Sequence, residues 1–442
     1  MPSRTLAGYR DAGYLTAAET ARRLGIKPAT LYAYVSRGLI QAHRASDAHA
    51  SLFHPEEVER LRARPARGAR PELSVPSAIT LLRPDGLYYR GYDVVALAAS
   101  HGYEQVAALL WHGSPRDDLG WRAPPAAAGA ATAAQRALAP GSLPLERLLA
   151  AAGAIGTTDP LRFDVSPATV RRLAPGLVMA LLAALGTRSR PPRTTQTGTT
   201  QTGTPRTSTA RTSTATAGAA PPADAASHSV AAGLAARLAG RAAAPPGLVT
   251  VVNAALVLLA DHELAASTMA VRIAAATRSP IYSCVAAGLG VLQGPLHGGM
   301  SLRVEDLLAQ IRSLANTEDV IRAYLSRGDP FWGFGHPLYE DGDPRGAALL
   351  PLVLEAAPAR QRKTVEAVLA FAAANSLPPP TVDLALATVT YCWSLPRGSG
   401  QALFAIGRTA GWIAHAIEEY ERRSNYRIRA AYTGPPPQPA PA

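Results

Sequence analysis

From His228 almost to the C-terminus, apolar residues recur at helical period, and no other feature of the chain limits its fold so tightly. A pattern of that length predicts that most of the second half is helix. The composition fits: 48% of residues are hydrophobic, 6% are aromatic, and alanine is common, which favours helices packed closely through small side chains. A chain of 442 residues is long enough for a large core and for two or three domains.

The net charge of +12 is nearly all arginine, because Lys27 and Lys363 are the only lysines. Unclustered charge of this kind fits anion binding and a GC-rich genome equally well. Cys284 and Cys392 lie far apart in apolar surroundings and show no metal-ligand spacing, as expected in a reduced compartment without a disulfide framework. The opening residues lack the apolar core of a signal peptide. The longest apolar runs, such as Ala254 to Ala260, are too short to span a bilayer. The expectation is a cytoplasmic protein with no membrane partner and no bound metal.

Residues Tyr14 to Ile40 read as a helix-turn-helix. Thr16 can cap a helix carrying Ala18, Ala21 and Leu24, Gly25 makes the turn, and Pro28 opens a second helix through Leu31 and Val35. With Leu52-Phe53-His54-Pro55 and a further helix from Glu56, the unit resembles small winged DNA-binding domains of the MerR and excisionase kind. That resemblance implies DNA as a partner through residues 14–61, while a module retained for docking or dimerisation fits the same residues. A basic, proline-bearing linker follows. Alternation at Ile79, Leu81 and Leu82, with an Asp85-Gly86 turn, predicts a short hairpin leading into a helix from Val94. Pro124 to Leu138 is alanine-rich and uninformative. Residues 187–227 contain no large aliphatic or aromatic residue and repeat TTQTG and RTSTA, so a disordered insertion is expected.

Polar residues concentrate at five later places: Asp261-His262-Glu263, the turn Gly294 to Gly299 with His297 at its centre, Gly333-Phe334-Gly335-His336-Pro337 with Gly342-Asp343-Pro344-Arg345, the segment Pro380 to Asp383, and Arg408 with the later Arg427 and Arg429. Three glycines and a proline leave the His297 ring almost unscreened, just before an amphipathic helix. Taken singly, His297 also fits a satisfied histidine at a helix entrance, and Asp383 fits a helix cap. Arg408 lies one turn from both Phe404 and Trp412, which puts a cation on an aromatic-bearing face where an unpaired charge is costly.

In order and spacing, ADHELAAST, GPLHGG, GFGHPLYEDGDPRG, the Asp383 segment, FAIGRTAGWIAH and YRIRAAYTGP resemble the citrate synthase family, as does SAITLLRPDGLYYRGYD near Ser77. The resemblance covers about Ser77 to Pro435. It implies an all-α, two-domain citrate synthase fold behind the small winged helix-turn-helix domain. The boundaries expected are 1–66 for the helix-turn-helix domain, 67–76 for the linker, 77–297 and 389–435 for the large domain, 298–388 for the small domain, and 436–442 for a disordered tail.

The resemblance also implies an activity, condensation of acetyl-CoA with oxaloacetate to citrate and CoA, with 2-methylcitrate synthesis from propionyl-CoA as the near alternative. A DNA-binding regulator with a sensor body is a further alternative. Such a reaction needs a base for a weakly acidic methyl proton and donors for two carbonyl oxygens. The resemblance gives these roles to Asp383, His297 and His336, and oxaloacetate binding to His262, Arg345, Arg408 and Arg427. Arg427 is expected to reach the neighbouring subunit of a homodimer. It gives acyl-CoA contacts to Gly333, Phe334 and Gly335, with no tightly bound cofactor. Where relatives carry a basic residue next to the loop histidine and another a few positions on, this chain has Pro337-Leu338-Tyr339-Glu340, with acids at Glu340 and Asp341, and Met300-Ser301-Leu302 replaces the usual Ala-Asn-Glu.

Overall fold

The computed structural model describes residues 6–26, 31, 40–44, 51–63, 75–83, 86–185, 229–311, 313–325, 331–336, 338–339, 342–422, 424, 426 and 434. The threonine-rich insertion, most of the second helix of the helix-turn-helix, Pro337, Glu340, Arg427 and Arg429 lie outside these residues. Contacts divide the chain into two compact units, Met1–Pro76 and Ser77–Ala442.

In the first unit, helix Ala17–Leu24 starts where the sequence indicates. The Glu19 amide donates to the Thr16 hydroxyl at 3.3 Å, and the Thr16 amide donates to the Glu19 carboxylate at 2.8 Å. Gly25 ends the helix at φ +68°, the left-handed conformation that glycine tolerates. Strands Leu15–Thr16 and His43–Arg44 flank Ser51–Phe53, both antiparallel to it. With helix Pro55–Ala63, they enclose a small core of Ala21, Leu31, Ile40, Phe53 and Val58.

The second unit opens with the expected hairpin, Thr80–Arg83 against Gly86–Tyr89, with Thr80 opposite Tyr89. A third short strand, Tyr92–Asp93, pairs with Gly86–Tyr89, and the named elements described after it are helices. The alanine-rich stretch that gives no sequence signal forms helix Pro125–Ala134, with Ala127 and Ala131 buried and the helix packed on Pro144–Thr157. Its periodicity is invisible because alanine occupies both faces.

The 24-residue helix Ser399–Arg422 runs through the core, buried on all sides over most of its length. It packs against Pro246–Leu259, Ala266–Ala276, Ile281–Leu292, Pro167–Ala183 and Val382–Cys392. The polar side chains it carries inward, Arg408, His415 and Glu419 among them, are buried with it, and its small residues let the neighbours approach. Gly411 is the closest case. A Cβ there would stand 2.3 Å from Asp261 Oδ1 and 2.4 Å from the Ala260 carbonyl oxygen, which already accepts the Gly411 amide at 2.8 Å. Gly411→Ala is therefore expected to destabilise the protein by at least about 2 kcal/mol through overpacking, measured by urea denaturation. An unchanged midpoint would mean that the segment before His262 does not press on this helix.

Candidate active site

Each candidate residue is placed by local chemistry. His297 sits in the turn between Ile281–Leu292 and Gly299–Gln310, where its amide donates to the Gly294 carbonyl at 3.0 Å and its carbonyl accepts the Met300 amide at 3.3 Å. His297 Nε2 is 2.8 Å from Ser267 Oγ at the start of Ala266–Ala276. When Ser267 donates this bond, the imidazole proton stays on Nδ1, the nitrogen left for a ligand. Burial, with Arg408 nearby, lowers the His297 pKa to about 4, so the ring is a neutral donor at ordinary pH.

Segment 333–336 forms a short ladder with 379–381. The Gly335 amide donates to the Pro379 carbonyl at 2.8 Å, and the Thr381 amide donates to the Gly333 carbonyl at 2.8 Å. This ladder sets His336 beside the start of helix Val382–Cys392, which carries Asp383 in its first turn. Gly333 at φ +86° and Gly335 at φ +73° adopt left-handed backbone, and a Cβ on Gly333 would come within 2.9 Å of Val304. The Leu338 amide donates to His336 Nδ1 at 3.2 Å, so the ring's proton is on Nε2. Burial and then Arg345 lower the His336 pKa.

Arg345 lies in the first turn of helix Pro344–Ala356, capped by Asp343. Its Nε and Nη2 donate to the two oxygens of the Asp343 carboxylate at 2.9 and 3.0 Å, and Asp343 Oδ2 also accepts the Val382 amide at 3.0 Å. One buried carboxylate thereby ties Arg345 to the helix of Asp383. Burial alone would lower the Arg345 pKa, but Asp343 raises it overall. Asp383 is itself buried. Loss of water pushes its pKa up to about 7, against the pull of Arg345 and a bond from the Ser301 amide.

His262 and Arg408 complete the site. His262 is driven well below its ordinary pKa by burial and by Arg345 and Arg408. Arg408 Nε donates to the Leu259 carbonyl at 2.9 Å, and its guanidinium lies 4.8 Å from the Phe404 ring centre. Its Nη2 is buried with no hydrogen-bond partner among the described residues. Burial lowers the Arg408 pKa to about 10, so it remains a cation, desolvated and poised for an anion.

His262, His297, His336, Arg345, Asp383 and Arg408 all line one cavity of about 500 Å³, together with Gly333, Phe334 and Gly335. Of the residues predicted from sequence, only Arg427 cannot be placed. Three residues to which the sequence assigned no site role support the group. They are Ser267, which orients His297; Asp343, which orients Arg345; and Tyr339, whose hydroxyl is 2.8 Å from His262 Nε2 and whose ring centroid is 4.9 Å from that of His336. The Asp-Pro pair was a legible signal for Asp343, since aspartate before proline is a helix-start pattern. Ser267 and Tyr339 act through space and gave none.

Among the described residues, no cluster of three or more His, Cys, Asp or Glu side chains could hold a metal ion, and no helix is long and apolar enough to cross a membrane.

Comparison with known proteins points to one family. The family described as "Citrate synthase, C-terminal domain" matches residues 68–431, and a helix-turn-helix domain matches residues 14–64. Citrate synthase 2 of Bacillus subtilis (strain 168) is 38% identical over 193 residues, 42% of this chain, and the match spans about half, 51%, of that relative's length. The 2-methylcitrate synthase of Mycobacterium tuberculosis (strain ATCC 35801 / TMC 107 / Erdman) is 26% identical over 413 residues, covering 90% of this chain and 97% of the relative. The crystal structure of citrate synthase from Thermotoga maritima MSB8 matches with a TM-score of 0.61 and 25% identity over 84% of this chain and 96% of the other. The chain therefore belongs to the citrate synthase family and carries an additional helix-turn-helix domain ahead of the residues that match it.

Proposed function

We propose that the protein condenses acetyl-CoA with oxaloacetate and water to give citrate and CoA. The observation that carries this reading is the convergence of one carboxylate of raised pKa, two neutral imidazoles and two buried arginines on a single cavity. Asp383 removes a proton from the methyl group of the thioester while His297 donates a hydrogen bond to the thioester oxygen, which stabilises the enol. The enol carbon attacks the ketone carbon of oxaloacetate, and His336, protonated on Nε2, donates to the oxygen that gains charge. Water then cleaves the citryl thioester, releasing citrate and the CoA thiol.

Arg345, Arg408 and His262 hold the carboxylates of oxaloacetate, and Gly333, Phe334 and Gly335 contact the acyl-CoA. Residues 298–388 act as the small domain that closes over the substrates and expels water, and Arg427 reaches the partner's site in a homodimer.

Use of propionyl-CoA is the second reading, favoured by the full-length likeness to a 2-methylcitrate synthase. One methylene gives only about 1–3 kcal/mol of discrimination in an apolar pocket, so the same groups serve both substrates. Release of free CoA thiol, measured with acetyl-CoA and propionyl-CoA in the presence of oxaloacetate, tests both. The larger specificity constant identifies the substrate, and silence with both from folded protein rejects the synthase. The helix-turn-helix match motivates a DNA-binding role, which a mobility shift that weakens steeply with salt would support.

The base must be ionised to act. With Asp383 pushed up to about 7, kcat/KM is expected to fall about tenfold per pH unit below about 7, while His297, lowered to about 4, adds no limb there. A profile flat from pH 8 to pH 5.5 would exclude Asp383 as the base.

A further inference from the structure

Leu296 lines the cavity that gathers the reacting groups and is largely exposed, so the cavity opens to solvent there, and the nucleotide tail of an acyl-CoA reaching out of it needs a cation for its phosphates. The expected place is the loop after His336, which offers none among its described residues. Leu338 is 56% exposed there. A second cavity, of about 510 Å³, adjoins the same chain segment. Leu296, His297 and Met300 line the first cavity, whereas Pro295, Gly299, Leu302 and Arg303 line the second.

Four arginines line the two cavities, and three are already committed. Arg345 is buried on Asp343, Arg408 is buried inside the first cavity, and Arg397 donates to both oxygens of Asp306 at 2.6 and 2.8 Å. Arg303 is the exception. It is exposed, it has no carboxylate partner among the described residues, and its guanidinium is held over the ring of Trp332, 5.1 Å from the centroid. Trp332 also lines the first cavity, and its indole N–H is buried with no hydrogen-bond partner among the described residues. A cation and an unused donor therefore share one aromatic ring, Arg303 lining the second cavity and Trp332 the first, whose lining also includes Leu296, 79% exposed.

We propose that Arg303, braced on Trp332, receives the phosphates of the acyl-CoA tail, and that the cavity of Pro295, Gly299, Leu302 and Arg303 accommodates that tail. This inference rests on acyl-CoA being the cosubstrate. The tail crosses the rim at Leu296, the Trp332 N–H donates to an amide carbonyl of the pantetheine arm, and the guanidinium pairs with phosphate oxygens. A cation supplied from helix Gly299–Gln310 replaces the basic residues missing after His336.

The test compares acetyl-CoA with acetyl-pantetheine, which carries the same reacting group without phosphates, in the full-length parent and in Arg303→Gln. The expected result is a KM for acetyl-CoA raised about tenfold in Arg303→Gln, with a weaker dependence of kcat/KM on ionic strength, while the acetyl-pantetheine reaction keeps the parent's specificity constant. Equal losses with both thioesters would assign Arg303 a structural role and overturn the proposal, as would no change with either. Binding of CoA to parent and variant by calorimetry is read independently of turnover. A parent that binds CoA without turning over fails the proposed reaction and still decides the role of Arg303 from the two affinities. A parent that binds no CoA overturns both. Trp332→Phe keeps the platform and loses the N–H, so it should raise the KM for both thioesters; an unchanged KM would remove the indole donor from the proposal.

Discussion

Asp383→Ala is expected to lower turnover by about 10³- to 10⁴-fold while leaving oxaloacetate binding near the parent's value, because a positioned general base contributes on that scale and makes no contact that the ground-state oxaloacetate requires. The measurement is a steady-state rate paired with direct oxaloacetate binding. Turnover close to the parent's would refute the assignment of the base. The same variant separates a catalytic from a structural role. Asp383 has its pKa raised to about 7 by burial, above the unfolded value of about 4, so the folded chain holds the proton more tightly than the unfolded one. Ionising the group therefore works against folding as pH rises from about 4 to 7. The alanine variant should be at least as stable as the parent at pH 8, with any advantage shrinking toward pH 4. A residue kept only as a helix cap would show the reverse, losing stability and keeping activity.

Arg408→Ala should weaken oxaloacetate binding by about 100-fold, the scale of a lost charge-assisted pair between a guanidinium and a carboxylate in a buried site. Its fully buried Nη2, with no partner among the described residues, is the group that a substrate carboxylate would satisfy. Arg408→Lys keeps the charge but not the planar fork, so it should recover only part of the affinity. Calorimetric titration with oxaloacetate decides the matter. Equal affinity in all three proteins would leave Arg408 as a cap on the Leu259 carbonyl and nothing more.

The two residues were legible in the sequence to different degrees. Arg408 stood out alone, since a cation on the aromatic-bearing face between Phe404 and Trp412 is hard to explain without a ligand. Asp383 and His297 each had an ordinary reading, and only their order along the chain and the resemblance it carried singled them out. The helix starts at Thr16 and Val382, the hairpin at Thr80–Tyr89 and the turn at His297 could be read because caps, turns and periodicity are decided by residues close in sequence. Helix Pro125–Ala134 could not, because periodicity needs a contrast between faces and alanine provides none.

What the sequence determined by itself was the kind of chain this is. It is helical, it contains the acid, the imidazoles and the guanidinium groups that a condensation requires, and it presents them in a recognisable order. Tertiary structure decided how those groups behave. The Asp383 pKa near 7, the neutral His297, the Arg408 Nη2 left without a described partner, the tether from Asp343 to Val382 and the seat of Arg303 on Trp332 all depend on segments far apart in the chain. Burial and through-space charge set a side chain's chemistry, and both are properties of packed neighbours that local sequence does not encode.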